Sequence, residues 1–249
     1  MRVDHGIAGL LTVDCGNSTV DCLHHADGAR LRLDTHAADL EELASWLRGR
    51  DVSRCVLASV VASASDRLYA ILRRSVPCIE RAGFDLPCPL RLAYAVPGSL
   101  GVDRWLGAFA AHRRHSRAVV VDCGTATTVN LVDADGWFLG GCIAPGLRAF
   151  VAGMAAVTPA LPAARIDSVP QLPASDTQSA VDAGVLFGYC GMVERLVADS
   201  LRGFGPAKVV LTGGNATVLK RLTRLQGEVE SDLVHEGMRL LAAERPCAS

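Results

Sequence analysis

Two stretches of this chain are near copies of each other. Leu11–Gly28 reads LTVDCGNSTVDCLHHADG, and Val120–Gly136 reads VVDCGTATTVNLVDADG. At one constant offset, Val13–Leu31 and Val121–Leu139 agree at ten of nineteen positions. The matches run from Val-Asp-Cys-Gly at the front to Ala-Asp-Gly at the back. Each copy reads as a strand, a tight acidic turn and a returning strand. A third strand follows an Asp-Gly hairpin signal. A gapless match through both turns is the mark of an internal duplication. It constrains the chain to two similar halves, each built on one three-stranded unit with Asp, Gly and small hydroxyl or amide residues at its tip.

The rest of the chain fits two halves. With 249 residues, 50% hydrophobic, it can bury a sizeable core in one large domain or two of roughly 120 residues. We place the halves at 1–115 and 116–249, with the boundary near Arg113–Arg117. The net charge of −1 gives no electrostatic case for nucleic acid or an anionic membrane. No uncharged apolar run reaches the roughly 18 residues a membrane span needs. The N-terminal apolar run before Asp14 is too short for a signal peptide. The nine cysteines are scattered without a CxxC pair, which argues against a zinc site or redox motif and for a reducing cytosol.

Periodicity extends the pattern. After strands at Leu10–Asp14, Val20–His25 and Ala29–Leu33, an amphipathic helix is expected over Ala38–Leu47. A buried strand over Arg54–Val61 and a helix capped by Ser65 follow. Pro77–Pro89 reads as irregular with room for a short helix, and Arg91–Val96 as a short strand. A helix over Val102–His115 leads into the second copy, with strands at Arg117–Asp122, Thr127–Val132 and Trp137–Ile143. Helices then follow over Leu147–Val157, from an Asp176 or Ser175 cap to Leu201, after the strand Lys208–Thr212, and over Asp232–Glu244. A short strand near Glu228 precedes the last helix. Gly184, Gly188 and Gly191 inside the long helix suit a close helix or subunit approach. His24, His25, His112, His115 and His235 fall at ends or polar faces and are expected at the surface.

The turns carry the chemistry. In Asp14-Cys15-Gly16-Asn17-Ser18 the glycine lets backbone N–H groups approach an anion, and Asn17 and Ser18 add neutral donors. An aspartate at a strand end suits Mg²⁺, which takes one or two carboxylates and keeps several waters. Asp122-Cys123-Gly124-Thr125-Ala126-Thr127-Thr128 repeats the inventory. Two such tips facing each other would grip a nucleotide triphosphate. Asp103, in the first turn of its helix beside Arg104, is either a dipole-favoured structural acid or a general base. Thr212-Gly213-Gly214-Asn215, between strand and helix, is placed for backbone contacts to adenine or phosphate.

The duplicated acidic hairpin resembles the superfamily of acetate and sugar kinases, heat-shock ATPases and actin. Within it, three stretches resemble the type III pantothenate kinases: Tyr94-x-x-Pro97-x-x-Leu100-Gly101-x-Asp103-Arg104-Trp105, Asp122-x-Gly124-Thr125-Ala126-x-Thr128, and Gly140-Gly141-x-Ile143-x-Pro145-Gly146. Asp176-Thr177, Thr212-Gly213-Gly214 and Asp232-Leu233 fit in order. The resemblance implies an α/β fold of the duplicated ribonuclease H-like, actin-like ATPase type, each half a mixed five-stranded sheet flanked by helices. It implies a cytoplasmic homodimer that phosphorylates pantothenate with ATP, the first step to coenzyme A. It also implies Mg²⁺ and a monovalent cation, K⁺ or NH₄⁺. Carried over by position, Asp14 and Asp122 serve the metal. Asp14, Gly16, Asn17, Ser18, Gly124, Thr125, Thr128, Gly213 and Gly214 serve ATP and its phosphates. Asp103 is the base. Tyr94, Gly101 and Arg104 shape the pantothenate pocket, with Thr177 supplied by the other subunit. Two departures stand out. The family's first hairpin usually reads Asp-x-Gly-Asn-Thr-x-x-Lys, and here the last position is Asp21. Its second hairpin usually ends Thr-x-Asp, and here it ends in Asn130. They leave a second reading open, a paralogue with a regulatory role of the Bvg accessory factor kind.

Overall fold

The computed structural model describes residues 9–36 and 40–245. Residues 38–39 of the first expected helix, Cys247 and the N-terminal residues 1–8, on which the signal-peptide reading partly rests, lie outside them. The chain forms β1 (Leu10–Cys15), β2 (Thr19–His24), β3 (Arg30–Asp34), α1 (Leu40–Leu47), β4 (Arg54–Ser59), α2 (Ala62–Leu72), β5 (Cys78–Arg81), β6 (Arg91–Leu92), a 3₁₀ turn (Pro97–Ser99) and α3 (Val102–His115). Then come β7 (Ala118–Cys123), β8 (Ala126–Val132), β9 (Trp137–Pro145), α4 (Leu147–Val157), α5 (Thr177–Phe204), β10 (Lys208–Thr212), α6 (Ala216–Leu222), β11 (Gly227–Val229) and α7 (Leu233–Glu244). Two compact units result: Met1–Ala110 with Leu233–Ser249, and Ala111–Asp232.

The two units share one topology. The first sheet runs β3-β2-β1-β4-β5, and the five strands belonging to the second unit run β9-β8-β7-β10-β11. In both, the first strand is antiparallel to its hairpin partner and parallel to the strand that follows the helical crossover. The mixed five-stranded sheet expected for each half is therefore present in each unit.

The copies are not superimposable residue for residue. In the first hairpin Cys15 faces Val20, so four residues make the turn; in the second Cys123 faces Thr127, and three do. Asp14 thus stands opposite Asp21, while Asp122 stands opposite Thr128. A one-residue slip exchanges the faces of a strand. A register shift between Leu131 and Val132 lies further along β8. The constant sequence offset therefore pairs Asp21 with the wrong residue, Val129.

Alternation fills the cores. Leu11, Val13, Cys15, Val20, Cys22 and Leu33 point to one face of the first sheet, where Leu43 and Leu47 of α1 and Leu68 and Leu72 of α2 cover them. Val119, Val121, Cys123 and Val129 do the same in the second unit beneath Leu186, Tyr189 and Val193 of α5. Each such aliphatic side chain contributes about 1.5–3 kcal/mol on burial. The opposite face of the first sheet carries Thr12, Asp14, Asp21 and Arg32 beside the buried Leu10, Val56 and Ala58. There α7 packs on β1 and β4.

That contact buries histidines expected at the surface. His235 of α7 is buried, with Nδ1 2.8 Å from the Thr12 hydroxyl; His25 Nε2 is 2.9 Å from the same oxygen. His24 is buried too, its Nδ1 2.8 Å from Asp27 Oδ1. A hydroxyl has one proton and two lone pairs, so Thr12 can serve two imidazoles at once. Burial, with positive charge from His235 and Arg239, pulls His25 down to about 4. An unfolded histidine titrates near 6.5, so the stability this depression reflects is present above that value and lost as pH falls toward 4. Urea melts are expected to show up to about 3 kcal/mol less stability at the acid end. The loss should be shallower in His25→Gln.

Several sequence expectations need correction. Pro77–Pro89 contains the strand β5, paired parallel to β4 from Arg54↔Cys78 to Leu57↔Arg81; its prolines flank the strand rather than interrupt it. Ser65 does not cap α2, which starts at Ala62 after Val61 without a side-chain cap. The strand expected over Arg91–Val96 shrinks to Arg91–Leu92, and that over Trp137–Ile143 extends to Pro145. Asp176, not Ser175, caps α5, accepting from Ser179 N at 2.9 Å, and the helix runs on to Phe204. Cys15, Cys22, Cys55, Cys123 and Cys190 are buried free thiols. Cys78 is disulfide-bonded. No helix among the described residues is long and apolar enough to cross a membrane.

Candidate active site

In the first unit the strand β1 delivers Asp14, half-buried, to a turn anchored from both sides. Gly16 N–H donates to Thr19 O at 2.9 Å, Thr35 Oγ1–H donates to Gly16 O at 2.8 Å, and Val60 N–H donates to Cys15 O at 3.1 Å. The Gly16 N–H therefore closes the turn and is not available to an anion, contrary to the sequence expectation. The side chains of Asn17, Ser18 and Thr19 are exposed at the tip. Thr35, buried at the end of β3, escaped sequence reasoning because nothing in a lone Asp-Thr-His run shows that it reaches the turn.

In the second unit two glycine approaches frame the equivalent turn. A Cβ on Gly213 would stand 2.3 Å from Asp122 Oδ1 and 2.8 Å from the backbone N and C of Cys123, and Gly213 has φ +83°. A Cβ on Gly146 would stand 2.3 Å from Thr125 O and 2.7 Å from Gly124 O. Asn215 completes the hold, donating its backbone N–H to Cys123 O at 3.0 Å and its Nδ2–H to the same oxygen at 3.1 Å. So the Thr212-Gly213-Gly214-Asn215 loop, the Pro145-Gly146 corner and the Asp122–Thr125 turn form one cluster. Thr125 and Gly214 are exposed there. Thr127 turns inward, 2.9 Å from the fully buried Tyr189 hydroxyl, a contact that the turn motif does not announce.

The expected substrate residues Tyr94, Gly101 and Arg104 gather around Asp103 within the first unit. Asp103 Oδ1 accepts from Arg104 N–H at 2.8 Å in the first turn of α3. A Cβ on Gly101 would fall 2.6 Å from that oxygen, so the glycine makes room for the carboxylate. Arg104, 7% exposed, donates from Nη1 to the Tyr94 hydroxyl at 3.2 Å. Burial raises the Asp103 carboxyl, against the pull of the Arg104 backbone N–H and guanidinium. A carboxylate so raised is a better proton acceptor than a solvated one. Thr177 begins α5 in the second unit, directly after the Asp176 cap.

The two departures are accommodated inside their own units. Asp21 is held by Arg30 and Arg32, each with Nε at 3.0 Å. Asn130 is 1% exposed, and its Nδ2–H donates to Thr128 Oγ1 at 2.8 Å. Its strand partner Gly141 leaves no space for a side chain, a Cβ there lying 1.8 Å from Val129 O. Elsewhere, His115, Glu228 and Glu230 bring ligand atoms within 4.8 Å of one another. Arg114 and His115 pair with Glu230, and Lys208 with Glu228, so the group is a balanced ion-pair network.

Comparisons with known proteins agree with this layout. A ROK family glucokinase from Streptomyces griseus, solved with glucose and AMPPNP, shares the fold at TM-score 0.53 and 12% identity, covering 94% of this chain and 100% of that one. A protein from Campylobacter jejuni, described as a Baf family transcriptional activator, aligns at TM-score 0.63 and 22% identity over 95% and 98% of the two chains. Likenesses this distant speak for the duplicated actin-like kinase fold alone. Among curated relatives, the type III pantothenate kinase of Anaeromyxobacter sp. (strain K) is 33% identical over 251 residues, covering 93% of this chain and 98% of the relative. That of Acidiphilium cryptum is 32% identical, covering 95% of each. The family profile for type III pantothenate kinase matches residues 10–199. By its acidic hairpins, its glycine-framed turns and these matches, the chain belongs to the type III pantothenate kinase family.

Proposed function

We propose that this protein transfers the terminal phosphoryl group of ATP to the primary hydroxyl of pantothenate. The observation that carries the reading is Asp103: a carboxylate with its proton affinity raised by burial, seated at a helix start by Gly101 and flanked by Arg104 and Tyr94. Asp103 takes the proton of the attacking hydroxyl. Arg104 and Tyr94 orient pantothenate, whose carboxylate suits a guanidinium, and Thr177 of a second subunit completes that pocket. Phosphoryl transfer asks a protein mainly for positioning and charge neutralisation. Asn17, Ser18, Thr125 and Thr128 hold phosphate oxygens through side-chain groups, and Gly124, Gly213 and Gly214 let backbone approach the nucleotide.

Asp14 and Asp122 fit Mg²⁺: both stand near the end of a central strand beside a glycine turn, and Gly213, having no side chain, lets the Asp122 carboxylate keep its place. When bound with ATP, Mg²⁺ neutralises phosphate charge. A monovalent cation, K⁺ or NH₄⁺, is part of the proposal, as is the cytoplasm, where ATP is supplied. The test is ATP-dependent formation of 4′-phosphopantothenate by the purified protein, with and without K⁺. A folded protein that shows no turnover at millimolar ATP would refute the kinase reading.

A homodimer is also proposed. Gly184, Gly188 and Gly191 lie exposed along α5 with nothing within 4 Å of the space a Cβ would take. Val157 is 77% exposed and Ile143 63%. Sedimentation velocity at micromolar concentration is expected to give about twice the 26.2 kDa of one chain. A single monomer boundary would reject it.

A further inference from the structure

The first hairpin must meet a highly charged triphosphate, and under the proposed function it does so without the lysine its family pattern carries. The chain has only two lysines, Lys208 and Lys220, both far along the second half. Any permanently charged cationic side chain serving phosphate from the first three strands is therefore an arginine. The strand register shows which. Asp14 of β1 faces Asp21 of β2, and Asp21 faces Arg32 of β3, so the three stand in one row across the face of the sheet opposite its aliphatic core. Leu23 faces both Thr12 and Arg30, which puts Arg30 in the adjacent row of the same face.

Two carboxylates directly opposite each other on neighbouring strands repel. Here the second is neutralised on the spot. Arg30 Nε meets Asp21 Oδ1 at 3.0 Å, Arg32 Nε meets Asp21 Oδ2 at 3.0 Å, and His235 Nε2 lies 3.8 Å from Oδ1. Burial alone would raise the Asp21 carboxyl, but His235, Arg30 and Arg32 outweigh it and hold it below the usual carboxylate range. One carboxylate and two guanidinium groups sum to a single positive charge, the same as one lysine. The two arginines differ in exposure. Arg30 is 27% exposed and Arg32 62%. Arg32 meets Asp21 through Nε, while the terminal fork of a guanidinium is the part that matches phosphate oxygens bidentately. Two strand spacings, about 10 Å, separate the backbones of Asp14 and Arg32, a gap an extended arginine and a phosphate oxygen can close between them.

We propose that Arg32 binds the phosphates of ATP at the first hairpin, with Asp21 as a positioning residue that aims it and Arg30 as the balancing charge. The assignment rests on the proposed kinase function, which pantothenate turnover by the unaltered enzyme tests separately. It is tested by calorimetric titration of the full-length enzyme with Mg²⁺ and a non-hydrolysable ATP analogue. Arg32→Ala is expected to weaken analogue binding about tenfold or more. It should raise KM for ATP while leaving KM for pantothenate unchanged. Because the side chain is mostly exposed and Arg30 still pairs Asp21, the thermal midpoint should not move. Adding Asp21→Lys to Arg32→Ala returns a cation to the same row and is expected to bring the affinity back to within about threefold of the parent. Undiminished binding by Arg32→Ala overturns the proposal. So does a double variant that folds but binds no better than the single one, since position in the row and not charge would then matter.

Discussion

Asp103→Asn is expected to lower kcat by about a thousandfold or more, at the upper part of the range for removing a general base, while Mg-ATP analogue binding stays within about twofold. The substitution keeps the shape and the oxygen that accepts the Arg104 N–H, so the helix start survives. What it removes is the ability to hold the proton of the attacking hydroxyl. The pH dependence is a second signature. Burial raises the Asp103 carboxyl, so the acid-side fall of kcat should sit above the pH expected of a solvated aspartate, near 3.9. For stability the sign runs the other way. A carboxyl raised in the folded state contributes stability at low pH that is lost as pH rises through its folded value. The neutral asparagine should therefore unfold no lower than the parent at pH 7. Loss of activity together with loss of thermal stability or of analogue binding would make Asp103 a structural residue.

Gly213→Ala is expected to weaken nucleotide binding at least tenfold and to cost about 2–4 kcal/mol of stability. Gly213 sits at φ +83°, where a side chain is strained, and its new Cβ would collide with the Asp122 carboxylate and the backbone of Cys123. The carboxylate can swing away, which takes a proposed metal ligand out of place, but the Cys123 backbone cannot, because it belongs to the central strand β7. Gly214→Ala is the matched control. It has no positive φ and nothing within 4 Å of a Cβ, so its stability should stay within about 0.5 kcal/mol of the parent. Chemical denaturation and analogue titration of both variants decide the matter. Equal stability for the two would mean the Gly213 turn relaxes without disturbing Asp122.

Much of this architecture was legible in the chain itself. The repeated Val-Asp-Cys-Gly and Ala-Asp-Gly marked two copies of one hairpin, because alternation and turn chemistry are local properties carried by adjacent residues. The stretch from Tyr94 to Arg104 was legible for the same reason: its four candidate residues span a strand end, a 3₁₀ turn and the first turn of α3. Motif spacing also put Asp14 and Asp122 at strand ends, where both stand.

Other features were decided only by tertiary contacts. Which residue faces Asp14 depends on whether the turn holds four residues or three, and the gapless sequence match concealed that difference. Whether Asp21 repels phosphate or steadies an arginine depends on β3 lying alongside β2 and on α7 bringing His235 back from the far end of the chain. The histidines looked superficial because a polar residue at a strand or helix end is exposed until another element covers it. The Asp122 carboxylate keeps its place because Gly213, 91 residues away in sequence, has no side chain to displace it. Local pattern determined the strands, the turns and the acids at their tips. The partners that set each acid's charge, neighbours and freedom to act were decided by packing between residues far apart in the chain.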